Sequence, residues 1–78
     1  MPKLVPIPAK KLIKMLLKND FVILRMVGSH NFLYNQNTGK TTTIPVHGNE
    51  ELGQGLLRQI LRDIDMKVED FEVLRRKH

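Results

Sequence analysis

Three histidines and a row of lysines are the residues in this chain with chemistry to offer. His30 follows Gly28-Ser29, His47 sits within Pro45-Val46-His47-Gly48, and His78 is the last residue. An imidazole with an unperturbed pKa of about 6.5 exchanges protons near neutrality. By residue type alone His30 has two readings: a histidine that starts a strand and bonds to a turn, or a proton-transfer group. The first is favoured. His47 reads first as a loop residue capping a strand end and second as a secondary acid/base group. His78 is terminal and expected to be mobile. The chain has no cysteine, which excludes disulfides and cysteine-based zinc sites. With histidines as the only soft ligands, no metal site and no other cofactor is expected.

Lys10, Lys14 and Lys18 stand four apart with Lys11 beside them, and no acid lies among them. At about 100° per residue they share one side of a helix. Like charges at this spacing cost about 0.2–0.5 kcal/mol per pair. A phosphate backbone or an acidic protein offsets that cost; a simply solvated face carries it. The two readings stand about even. Arg25, on a strand, and Lys40, beside a hairpin loop, are further candidate phosphate contacts.

Hydrophobic periodicity gives the elements that position these groups. Pro2, Pro6 and Pro8 keep the start extended, and Pro8 suits a helix start. Leu12, Ile13, Leu16 and Leu17 form a stripe on a helix over Ala9–Lys18. Asn19-Asp20 ends it. Phe21–Val27 and His30–Tyr34 read as strands about the Gly28-Ser29 turn. Asn35–Gly39 suits a hairpin loop. Thr41–Val46 is a third strand, at an edge or ending near Pro45. After the His47–Asn49 loop, a helix begins past Gly53 or Gly55 and carries Leu56, Leu57, Ile60, Leu61 and Ile64. A short last helix from Val68-Glu69 holds Phe71 and Leu74. The result is an α+β sandwich in the order α-β-β-β-α: a three-stranded antiparallel sheet with helices on one face. Phe21 and Phe71 read as core. Phe32 and Tyr34 share a strand face with His30; packing under the helices is the favoured reading, and stacking on bases follows if that face is open.

Length and charge bound the rest. Seventy-eight residues, 41% hydrophobic and 27% charged, make one globular domain over residues 1–78 with room for one small core. No apolar run approaches the roughly 18 residues of a membrane span, and the start has no signal-peptide pattern. A cytoplasmic protein with no membrane partner is expected. The net charge of +5 is uneven. Lys3, Lys10, Lys11, Lys14, Lys18, Arg25 and Lys40 face one acid, Asp20, before residue 50, whereas the remainder is nearly balanced. A one-sided basic region draws polyanions, of which nucleic acid is the commonest for such a protein.

The element order looks like a double-stranded-RNA-binding-type fold, and within it the chain resembles the HicA (YcfA-like) toxin family. Gly28-Ser29-His30 is similar to that family's string after the first strand, and Pro45-Val46-His47-Gly48 to the string closing its third. Leu57-Arg58-Gln59-Ile60-Leu61 and Val68-Glu69-Asp70-Phe71 are similar to its helix patterns. The strings run in the family's order from about Lys10 to Leu74. The resemblance implies an mRNA interferase, a metal-independent endoribonuclease toxin restrained by a HicB-type antitoxin. It also implies that His30 is the catalytic acid/base. Attack by a ribose 2′-hydroxyl on the neighbouring phosphate needs one proton removed and one delivered, and an imidazole contributes about 10²–10⁴-fold to such steps. Ser29, Lys10, Lys11, Lys14, Lys18, Arg25 and Lys40 are the expected RNA contacts. Two positions depart from the family pattern. Asn31 stands where a second histidine is frequent, and Val27 where a basic residue is frequent; both bear on phosphate binding.

Two other classes compete with this reading. One is a non-catalytic double-stranded-RNA reader, which grips shape, 2′-hydroxyls and phosphates. It is disfavoured because the last long helix lacks a lysine-rich start. The other is a basic interaction domain for an acidic protein, which would show no RNA affinity even at low salt.

Overall fold

A computed structural model describes residues 4–77; Pro2, Lys3 and His78 lie outside the described residues. Eight elements follow one another: β1 (Ile7–Pro8), α1 (Ala9–Leu17), β2 (Phe21–Val27), β3 (His30–Asn35), β4 (Thr41–Pro45), β5 (Glu51–Leu52), α2 (Gln54–Asp63) and α3 (Val68–Arg76). The sheet β2-β3-β4 is antiparallel throughout. The expected α-β-β-β-α order is therefore present, with α3 appended. A second, two-stranded antiparallel pairing sets Ile7 opposite Leu52 and Pro8 opposite Glu51. It joins segments read from the sequence as an extended start and a loop.

The two turns of the sheet explain its register. Gly28 holds φ at +58°, and Ser29 does not share that region. A glycine alone at positive φ in the first central position is the arrangement of a type II′ hairpin turn. It sets Val27 opposite His30, so His30 is the first residue of β3. At the other end, the Asn35 carboxamide accepts from the backbone N–H of Asn37 (2.8 Å) and Thr38 (3.1 Å), as an asparagine-initiated turn does. The Asn37 amide donates to the Asp20 carboxylate at 2.6 Å and ties this loop to the α1–β2 turn.

One face of the sheet is covered. Asn31 and Leu33 of β3 and Thr42 and Ile44 of β4 are buried, whereas the alternate residues His30, Phe32, Tyr34, Thr41 and Thr43 are not. That is the two-residue period of a strand with one face on a core. Leu12, Ile13, Met15 and Leu16 of α1, Leu57, Ile60 and Leu61 of α2, and Phe71 of α3 complete one hydrophobic cluster. Two expected stripe residues fall outside it: Leu17 and Leu56 are exposed, and Met15 is buried instead of Leu17. The buried arc of α1 centres on Leu12 and Leu16; at about 100° per residue Leu17 lies farther from that centre than Met15 does. The Thr42 hydroxyl donates to Asp63 at 3.0 Å, clipping the end of α2 to β4. Arg75 of α3 donates to the carbonyls of Val5 and Pro6 at 2.6 and 2.7 Å.

β2 is less covered than its neighbours. Its first residue, Phe21, is buried, but from Ile23 onward it is exposed. The register shifts between Ile23 and Arg25, the mark of a β-bulge, which bends and twists an edge strand. Leu24, Met26 and Val27 are 59%, 68% and 55% exposed.

Candidate active site

His30 stands at the end of the sheet where the Gly28-Ser29 turn enters β3, and it is exposed on the face that no helix covers. Its position follows from the turn. A two-residue hairpin fixes both register and the side of the sheet that each flanking residue takes. Across β3, Pro45 is its partner on β4. The pairing continues one step further, because Val46 donates its backbone N–H to the Ser29 carbonyl at 2.8 Å. His47 follows directly, so the second histidine of the chain begins the loop at the same end of the sheet and is exposed.

Two basic groups reach this region from different directions. Lys10, in the first turn of α1, lines a cleft of about 350 Å³ together with Ile13, Met26, Ser29, Asn31 and Val46. It therefore borders the same cleft as Gly28 and Ser29 of the turn before His30, while His30 itself is not in that lining. Arg25 lies on the open face. Its Cα partner is Phe32, two residues along β3 from His30, and such diagonal neighbours are about 7–8 Å apart. The guanidinium sits 4.6 Å from the Phe32 ring centroid. Phe32 and Tyr34 are half-buried on the same open face as His30, away from the helices. The reading of both as packing residues under the helices is thus overturned. The two-residue period puts Asn31 and Leu33 inward, which leaves the aromatic residues outward.

The remaining cations divide. Lys11, Lys14 and Lys18 line a second cleft on α1, and Lys77, just past α3, joins them. The row from Lys10 to Lys18 spans about 12 Å of helix and leads away from the His30 end. Lys40 belongs to the opposite end of the sheet. Its carbonyl accepts from the Asn35 N–H at 2.8 Å, and five strand steps of about 3.4 Å separate Asn35 from His30. It is not brought to the histidine. Lys77 was not anticipated from the sequence, although the run Arg75-Arg76-Lys77 was the available signal. Asn31 was noted only as a departure from a pattern, yet it is 8% exposed and lines the cleft beside the turn. A polar residue at an inward strand position was its signal. Among the described residues, no group of three or more His, Cys, Asp or Glu side chains is clustered as a metal site would need. No helix among them is long and apolar enough to cross a membrane.

The arrangement sets two histidines at one sheet end, with Arg25 and the half-buried Phe32 on the same open face as His30. Comparison with known proteins bears on this independently. No curated protein and no solved structure matches the chain. The family described as HicA toxin of bacterial toxin-antitoxin matches residues 9–66. That span runs from the first residue of α1 past the end of α2 and takes in His30, His47, the three lysines of α1 and Lys18 just past it; it stops short of the Val68–Phe71 string. A match over more than half of the 78 residues, containing every element of the sheet β2-β3-β4, decides the matter: the chain belongs to the HicA toxin family, the toxin side of bacterial toxin–antitoxin pairs.

Proposed function

We propose that this toxin is an endoribonuclease that cleaves mRNA without a metal, with His30 as its general acid/base. The observation that carries the reading is the placement of His30: exposed on the uncovered sheet face, directly after a fixed two-residue turn whose Gly28 and Ser29 share a cleft with Lys10 of α1. In the reaction, the ribose 2′-oxygen forms a bond to the adjacent phosphorus while the bond from phosphorus to the 5′-oxygen breaks. The 2′-hydroxyl proton passes to a base, and the departing 5′-oxygen takes a proton from an acid. The products are a 2′,3′-cyclic phosphate and a 5′-hydroxyl. His30 serves one or both transfers, and His47, at the same sheet end, is the candidate for the other. Lys10 and Arg25 offset charge that develops on the phosphorane. Lys11, Lys14 and Lys18 hold the strand further along α1, with Ser29 at the turn. DNA lacks the attacking hydroxyl and is not a substrate.

The restraining partner in this reading is a HicB-type antitoxin that covers His30 together with the outer edge of β2. Three large apolar side chains there, Leu24, Met26 and Val27, are more than half exposed. An uncovered apolar edge strand is a surface that a partner normally buries.

The test pairs the parent chain with His30→Ala. Purified parent should cut single-stranded RNA to 2′,3′-cyclic-phosphate ends and arrest growth when expressed without its antitoxin. His30→Ala should keep its thermal transition and lose about 10²–10⁴-fold in cleavage rate. Equal cleavage by the two proteins removes His30 from the chemistry. RNA bound but never cut by the parent makes the chain a binding module.

A further inference from the structure

Asn31 makes an unusual use of its carboxamide. Its Nδ2 donates to the carbonyls of Ser29 and Ile44, each at 3.3 Å, so both amide protons are committed to the backbone. Among the described residues Oδ1 accepts no hydrogen bond, and it is not fully enclosed. The residue is more than nine-tenths buried and lines the 350 Å³ cleft. With Nδ2 held by the backbone, Oδ1 is the side-chain atom left free to accept from a group entering that space.

The walls of the cleft define what fits. Ile13, Met26 and Val46 are apolar, Lys10 supplies positive charge at the rim, and Ser29 borders the opening. The volume is at the lower end of the range for small-ligand sites, about 300–1,000 Å³. Apolar sides with a buried amide acceptor suit a flat aromatic ring with a hydrogen-bond donor on its edge. A cation at the rim suits a phosphate joined to that ring through a sugar. A nucleotide has both features. Geometry within β3 also couples this cleft to the histidine. Successive strand residues point to opposite faces, so His30 faces the open side of the sheet while Asn31 faces the helix side. A strand passing over the Gly28-Ser29 turn meets both.

We infer that the cleft receives the base of a nucleotide adjoining the scissile phosphate, and that Asn31 Oδ1 selects a base carrying an exocyclic amino group. Adenine, cytosine and guanine carry such a group; uracil does not. The inference rests on the RNA-cleaving reading above and adds to it a specificity-determining residue. Lys10 acts as the phosphate contact of the same nucleotide.

Replacing Asn31 by an apolar residue frees two backbone carbonyls and risks the fold, so the test alters the RNA and leaves the protein intact. Cut sites of the parent chain are mapped on an RNA containing all four bases, and uracil should be depleted at one position flanking the cut. Oligonucleotides are then made with adenine at that position replaced by purine, which lacks the 6-amino group, or cytosine by 2-pyrimidinone, which lacks the 4-amino group. Loss of the amino group should lower kcat/KM by about 5- to 150-fold, the effect of leaving a buried acceptor unpaired. The same substitutions should weaken binding of uncleavable 2′-O-methyl oligonucleotides to His30→Ala protein. Cleavage that is indifferent to the amino group, with no base bias at either flank, overturns the role of Asn31 and leaves the nuclease reading standing. Neither binding nor cleavage of any RNA by the chain removes both.

Discussion

The Arg25 guanidinium lies 4.6 Å from the centroid of the Phe32 ring, on the face of the sheet that the helices leave open. A cation over an aromatic face is attracted by the ring quadrupole. The pair also forms a flat, positively charged platform two residues along β3 from His30. Bases stack on such platforms without regard to sequence, contributing about 1–3 kcal/mol each. Phe32→Ala should therefore weaken RNA binding by an amount in that range. Anisotropy with His30→Ala as the background reads binding without turnover. Because Phe32 is outside the core cluster, the thermal transition should move little. Unchanged affinity removes the platform from the interface.

Gly28 carries the register of the whole site. Its φ of +58° is one that an L-residue enters only with strain, although a Cβ there would meet nothing within 4 Å. The cost of Gly28→Ala is thus conformational and not steric, about 1–2 kcal/mol. A lower Tm is expected, with a drop in cleavage larger than the stability loss explains, because the turn sets the side that His30 takes. A full-rate Gly28→Ala protein argues that the turn does not position the histidine.

Much of this was legible in the sequence because it depends on local patterns. The α1 lysines, the Gly28-Ser29 turn, the strand limits and the Asn35–Gly39 loop follow from periodicity and turn chemistry, each within a few residues. The pairing of Ile7 with Leu52 was not legible, since two-residue strands 45 positions apart leave no period to read. The outward aim of Phe32 and Tyr34 was similarly out of reach. Alternation divides His30, Phe32 and Tyr34 from Asn31 and Leu33 but does not say which set lies under a helix; asparagine on the inward side runs against composition. The bulge in β2 was hidden too, and with it the exposure of Leu24, because an apolar run reads as a buried strand.

The cations of α1 separate by position, and salt dependence tells them apart. Each phosphate contact on a single strand contributes about 0.7 to the slope of log K against log salt concentration. Lys14→Gln with Lys18→Gln should flatten that slope by up to about twice this value. Lys40→Gln, at the far end of the sheet from His30, should leave it unchanged for a short oligonucleotide bound at the site. Equal effects from Lys40→Gln and from the α1 pair indicate a strand running along the sheet and not along the helix.

Leu24 offers a way to separate restraint from catalysis. It sits where the β2 register shifts, is 59% exposed, and does not border the cleft beside the turn. Leu24→Lys places a charge on the apolar edge without touching His30, Lys10 or Asn31, and at an exposed position it should cost less than about 0.5 kcal/mol of stability. If the antitoxin covers this edge, a buried unpaired lysine weakens the complex by several kcal/mol. Cells that tolerate the parent toxin alongside its antitoxin should then arrest when the toxin carries Leu24→Lys. RNA cleavage by the isolated variant should match the parent. Arrest without a measured loss of toxin–antitoxin affinity, or unaltered affinity, places the antitoxin on another surface.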